Sequence, residues 1–254
     1  MKPILIIAAL PLETVLLENA LAQPVRHSTI GFAYLEGVLG NRRVVICAGG
    51  IGKINAGAAT AVMIERHQPQ LVINTGCAGA YIDSGLSIGD LVVASEEVLA
   101  DEGVIVEEGW QDLRYMSLPI LESGGRPCFN TIPLSRQASE KAMQLADYHG
   151  FFLMRGRFAT VSTCSGTVQR GQELSRHWNV IAENMEGAAV AQICRRYGRD
   201  CLEIRGISNL VEERNLEKWE IKRAVEAPQR FILKYLEEMD RPEAALPLET
   251  TPEL

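Results

Sequence analysis

Apolar residues in this chain fall into short, nearly unbroken runs separated by stretches with helical spacing. The runs PILIIAAL (3–10), RRVVICAG (42–49), QLVINTG (70–76), GDLVVASEEV (89–98), GRFATVST (156–163), NVIAEN (179–184) and CLEIRGIS (201–208) read as strands buried on both faces. Amphipathic stretches at 12–22, 53–67, 135–149, 186–198 and 215–238 read as helices, the last two strongly so. Strand–helix alternation with hairpin-like pieces between predicts a mixed, mostly parallel central sheet flanked by helices, an α/β fold in three layers. The pattern predicts one domain over 1–240 and a Pro-, Glu- and Thr-rich tail, 241–254, that is disordered. The segment 100–133 is the least regular and is expected to be a long excursion able to cover a site.

Composition narrows the class. The 254 residues are 47% hydrophobic and only 6% aromatic, which describes a soluble protein with a large aliphatic core. A net charge of −7 and the lack of any basic stripe argue against nucleic acid as a partner. No run approaches the roughly 20 apolar residues of a spanning helix, so no membrane partner is expected. The opening MKPILIIAAL has some features of a secretion signal, but Pro11, Glu13 and Glu18 interrupt it, and a first buried strand fits better. The six cysteines are dispersed, with no metal-ligand spacing to His, which fits a reducing cytoplasm and no metal. No cofactor is called for.

In parallel sheets ligands bind beyond the carboxyl ends of the strands, so polar residues there are the candidates. Glu13 follows the first strand; it reads equally as a base or as a first-turn carboxylate complementing a helix dipole. AGGIGKINAG (48–57) fails both the P-loop and the dinucleotide fingerprints, yet it still offers free N–H groups at a helix start. In NTGCAGA (74–80), Cys77 has no nearby His to activate it and reads as a small residue in a tight turn. Glu183 and Glu186 flank Met185 at a strand-to-helix junction, where a carboxylate could grip paired hydroxyls or simply start the helix. The last strand delivers Arg205, Ser208 and Asn209. Ser208 and Asn209 also read as turn residues capping the next helix. Four polar groups, Glu13, Glu186, Arg205 and Asn209, thus converge at one predicted sheet edge.

AALPLET, GGIGKINAGAAT, VINTGCAGA, IGDLVVAS, NMEGAAVA and RGISNLV stand in the order and spacing of the nucleoside phosphorylase superfamily. From about residue 3 to about 235 the chain resembles its purine nucleosidases and phosphorylases, most closely the methylthioadenosine/adenosylhomocysteine nucleosidases and the futalosine hydrolases. The resemblance implies a nucleoside phosphorylase-like fold, a nucleoside and water as reactants, and a homodimer or dimer-based assembly. It implies that Glu13 activates the water, Glu186 binds the ribose hydroxyls with Met185 against the sugar, and Arg205 lies near both carboxylates. Cys77, Ala78 and Gly79 would line the site, with Gly166 in the STCSGT loop (162–167) beside the base. The loop lacks the aromatic residue that adenosine-type relatives carry there. Those relatives also carry an aspartic acid where this chain has Asn209. An amide is no general acid, but it offers N–H to a 6-oxo group and C=O to a protonated N7. The resemblance together with Asn209 therefore implies hypoxanthine as the leaving base and futalosine as substrate. Arg114, Tyr115, Arg126 and Phe129 of the irregular segment are candidates for its 5′ aryl carboxylate.

Overall fold

A computed structural model of the chain describes residues 2–29 and 31–240; the expected tail at 241–254 lies outside them. The strands of the main sheet are β1 (Ile4–Ala8), β2 (Ala22–Thr29), β3 (Phe32–Leu39), β4 (Arg42–Ala48), β5 (Leu71–Tyr81) and β6 (Leu91–Leu99). The irregular segment supplies two small hairpins, β7 (Gly103–Val106) with β8 (Gly109–Asp112) and β9 (Leu121–Ser123) with β10 (Arg126–Cys128), and then β11 (Thr131–Pro133) at the sheet edge. β12 (Leu153–Thr160), β13 (Ala182–Asn184) and β14 (Asp200–Val211) complete the set. The helices are α1 (Val15–Ala20), α2 (Lys53–His67), α3 (Arg136–His149), α4 (Val168–Trp178), α5 (Gly187–Arg196) and α6 (Ile221–Glu238).

The sheet runs β11-β6-β12-β13-β5-β1-β4-β3-β2, and β14 pairs with both β5 and β6. That double pairing closes β6, β12, β13, β5 and β14 into a small barrel beside the open part of the sheet. Pairing is parallel along β4–β1–β5–β14 and β6–β12–β13, and antiparallel at the β2–β3–β4 edge and where β13 and β14 seal the ring. β1 is apolar at every position because β4 and β5 flank it and helices cover both faces. One face packs α2 and α5, with Gly57 of α2 facing Ala189 and Ile193 of α5. The other face packs α1, α3 and α6; α6 lies flush on β14, where a Cβ at Gly206 would strike the backbone of Ala224.

Several expectations are altered. The helix expected over 12–22 is a 3-10 turn, Pro11–Glu13, and a six-residue helix, because the chain turns at Leu21 into β2. β2 and α4 escape the hydrophobic pattern: β2 is an exposed edge strand and α4 buries only Gly171, Leu174 and Trp178. The last strand does not stop at Ser208. It continues to Val211, with a bulge at Ser208 that shifts the pairing with β5 between Ile207 and Asn209.

Candidate active site

The turn after β1 places Glu13 with its carboxylate buried, 4% exposed. Oε2 accepts from the N–H groups of Ala9 (3.0 Å) and Leu10 (2.9 Å), and Oε1 accepts from Cys77 N–H (3.1 Å). α6 braces this turn from behind. The fully buried Gln229 accepts from Leu16 N–H (2.8 Å) and donates to Leu12 C=O (3.2 Å), so the residues around Glu13 are tied to the last helix. β5 supplies the opposite wall. A Cβ at Gly76, whose φ is +153°, would lie 2.5 Å from Glu13 Oε1, so only glycine lets the strand pass this close to the carboxylate.

Arg205, on β14 and 2% exposed, ties the centre together. Its Nε donates to Glu203 (2.6 Å), one terminal nitrogen to Cys77 C=O (2.9 Å), and the other to Glu186 (3.4 Å). Burial alone opposes its charge, but Glu203, Glu186 and Glu13 outweigh burial and push its pKa up. Glu186 stands at the N-cap position of α5, and its side chain, which makes no capping bond there, accepts from Gly52 N–H (2.9 Å), so the glycine turn that opens α2 docks onto a carboxylate of this chain. Cys77 is a thiol at neutral pH: burial first, then Glu13, push its pKa up to about 11.

Behind Arg205 lies a second buried carboxyl pair. Glu97 and Glu203 are both fully buried, and a Cβ at Gly187 would collide with an oxygen of each. Glu97 accepts from the Thr160 hydroxyl (2.6 Å) and from Asn184 Nδ2 (2.7 Å). Burial, and next the charge of Glu203, hold the pKa of Glu97 well above the usual carboxylate range.

Beyond these groups opens a cavity of about 250 Å³. Glu13, Cys77, Ala78, Gly79, Met185, Glu186, Arg205, Ser208 and Asn209 all line it. Gly166 does not; its loop turns Cys164 and Ser165 to the cavity, while the Gly166 carbonyl accepts from Arg214 N–H (3.3 Å). None of Arg114, Tyr115, Arg126 and Phe129 reaches the cavity. Arg114 lies over the Phe129 ring (5.7 Å), and Tyr115 is 61% exposed. Among the described residues of the irregular segment only Asp101 and Glu102 come near, lining an adjoining groove with Ile51, Lys53 and Met185.

The bulge at Ser208 explains how Asn209 comes to face the cavity from within a strand. Asn209 Nδ2 donates to Leu210 C=O (3.0 Å), and Oδ1 accepts from the Ser208 hydroxyl (2.8 Å). A carbonyl can only accept, so the Leu210 contact settles which end of the amide is nitrogen. Each end keeps capacity for one further bond. Ser208 is thus a neighbour that orients the amide. Among the lining residues that sequence reasoning gave no role are Glu183, Arg214 and Trp219. Glu183 faces the cavity from β13, its pKa raised by burial against the lowering influence of its bonds to Ser165 and Tyr81. Trp219 and Arg214 close the same end, the guanidinium 4.7 Å from the ring centroid. A glutamate inside the apolar run NVIAEN, and a tryptophan just after the last strand, were the available signals.

A partly closed mixed sheet with carboxylates and an arginine gathered around one cavity defines a three-layer α/β class whose ligand site lies at strand ends. Residues 3–237 match the family described as the Phosphorylase superfamily, and the chain belongs to that family. A 5′-methylthioadenosine/S-adenosylhomocysteine nucleosidase of Staphylococcus aureus (strain MRSA252) is 28% identical over 228 residues, covering 88% of this chain and 95% of the relative. The S-adenosylhomocysteine nucleosidase of Streptococcus pyogenes, solved with 5-methylthiotubericidin, superimposes with a TM-score of 0.82 at 25% identity, over 95% of this chain and 98% of that one. The native futalosine hydrolase of Helicobacter pylori strain 26695 has a TM-score of 0.81 at 24% identity, over 93% and 98%, a likeness of fold.

Proposed function

We propose that this chain hydrolyses the N-glycosidic bond of futalosine, releasing hypoxanthine, as a step of the alternative route to menaquinone. The observation that carries the hydrolase part is the convergence of Glu13, Glu186 and Arg205 on one cavity with the amide of Asn209 also lining it. N-glycosidic cleavage passes through an oxocarbenium-like sugar, which a carboxylate-rich pocket stabilises. Glu13 takes the proton of the attacking water, Glu186 binds the ribose hydroxyls beside Met185, and Arg205 holds Glu186 in place. Asn209 gives N–H to the 6-oxo group and accepts from N7–H of the departing base. The nucleosidase names of the relatives agree with hydrolysis. The choice of futalosine rests on Asn209 and on the tryptophan-bearing stretch 215–224, which resemble that enzyme.

A phosphate-dependent inosine phosphorylase is the second reading, and family membership alone admits it. Against it, three of the five N–H donors of Arg205 are engaged by Glu203, Cys77 and Glu186, and a phosphate beside Glu13 would meet carboxylates. Release of adenine from methylthioadenosine by a nucleosidase is the third. Purified protein incubated with futalosine, inosine and methylthioadenosine, with and without phosphate, is expected to release hypoxanthine from futalosine without phosphate. Absolute dependence on phosphate would establish the phosphorylase instead, and adenine from methylthioadenosine alone the nucleosidase. In the same assay Asn209→Asp is expected to lose about tenfold or more in kcat/KM for the 6-oxo substrate; unchanged kinetics would remove Asn209 from base recognition.

A further inference from the structure

Gly79 of β5 is paired on one side with Glu183 of β13 and on the other with Asn209 of β14. The glycine puts no side chain between them, and the atom nearest to where a Cβ would sit is Val211 Cγ2, at 3.1 Å. A Cβ there would lie 3.2 Å from Asn209 Nδ2 and 3.6 Å from Glu183 Cγ. The Asn209 amide and the Glu183 side chain therefore flank one point of the cavity wall, and both residues line the cavity. Glu183 is 7% exposed and is held by Ser165 N–H on Oε1 (2.9 Å) and by the Tyr81 hydroxyl on Oε2 (3.1 Å). A carboxylate has about four lone-pair positions, so two acceptor positions remain after these bonds. The held carboxylate is thus a fixed acceptor beside a fixed donor.

A 6-oxopurine presents the complementary edge, with N1–H as donor next to O6 as acceptor. A 6-aminopurine presents the reverse, a bare N1 lone pair next to an amino donor, and its N1 would face the carboxylate lone pairs. We propose that Glu183 accepts the N1–H of the leaving base and, with Asn209, selects 6-oxopurines over 6-aminopurines. The proposal rests on the reading of this cavity as a purine nucleoside site. It adds a second specificity-determining residue to that reading, one that touches the base itself. Such an arrangement discriminates strongly because the wrong base leaves buried polar groups unpaired.

The experiment compares kcat/KM of wild type and Glu183→Gln on paired nucleosides: futalosine with its 6-amino counterpart, and inosine with adenosine. Wild type is expected to prefer the 6-oxo member of each pair, and Glu183→Gln to shrink that preference about tenfold or more. A role confined to holding Ser165 and Tyr81 would lower both members alike, and that result overturns the proposal while leaving hypoxanthine as product. A wild type that prefers the 6-amino members overturns the base assignment, and this proposal with it. Should Glu183→Gln fail to fold, wild type alone decides through inosine against 1-methylinosine, which lacks the N1–H. A loss of about tenfold or more on methylation supports the proposal, and equal rates overturn it.

Discussion

Three backbone N–H groups and the neighbourhood of Arg205 hold the Glu13 carboxylate, so its orientation is set before any ligand arrives. A base fixed in this way loses its function, rather than its place, when the charge is removed. Glu13→Gln keeps an acceptor for the Ala9 and Leu10 N–H groups and loses the one that met Cys77 N–H. It is expected to lower turnover by about 10²–10⁴-fold with little change in melting temperature, as product release and thermal unfolding would show. A mutant retaining near-native turnover would take Glu13 out of the base role. At this scale Glu13, Glu186, Arg205 and Asn209 could be picked out by position at strand ends. Glu183 stood out at the same junction as Glu186, but its role could not be read there, because it depends on pairing with a glycine that also pairs with Asn209.

Among the elements, α6 does more than cover the sheet. Its apolar face, including Ala224, Phe231, Ile232 and Tyr235, was readable from helical periodicity. Gln229 in the middle of that face reads as an exception until the turn it serves is seen. It pairs with Leu16 and Leu12 on either side of Glu13. Gln229→Leu leaves the Leu16 N–H and the Leu12 carbonyl without their partner and is expected to cost about 1–3 kcal/mol of stability, measured by denaturant unfolding. Turnover should fall with it as the Glu13 turn loosens; full activity at reduced stability would show that the turn holds without the helix. α2 was legible to the residue, since its glycine turn announces its start. β2 was not, because an exposed edge strand has no apolar alternation to reveal it.

For the molecule as a whole, the closed ring of β6, β12, β13, β5 and β14 brings Glu97 and Glu203 together in its interior. Burial and the Glu203 charge raise the pKa of Glu97. Between the ordinary glutamate value and that raised value, the native state keeps a proton that the unfolded chain has released. Stability therefore falls as pH rises through this window. Glu97→Gln removes the proton from the balance and is expected to flatten the decline of melting temperature above about pH 5. An undiminished slope would place the responsible proton elsewhere.

Local pattern was enough to determine an α/β protein with a sheet buried on both faces and carboxylates at its strand ends, because strand length, burial and helical periodicity are written in neighbouring residues. Tertiary structure decided the rest. It closed the sheet through the double pairing of β14, put Ser208 at a bulge instead of a turn, and set Glu183 beside Asn209. It also left the irregular segment away from the cavity apart from the groove at Asp101 and Glu102. Each of these depends on which distant strands hydrogen-bond and in what register, and that choice is made by the packing of the whole core.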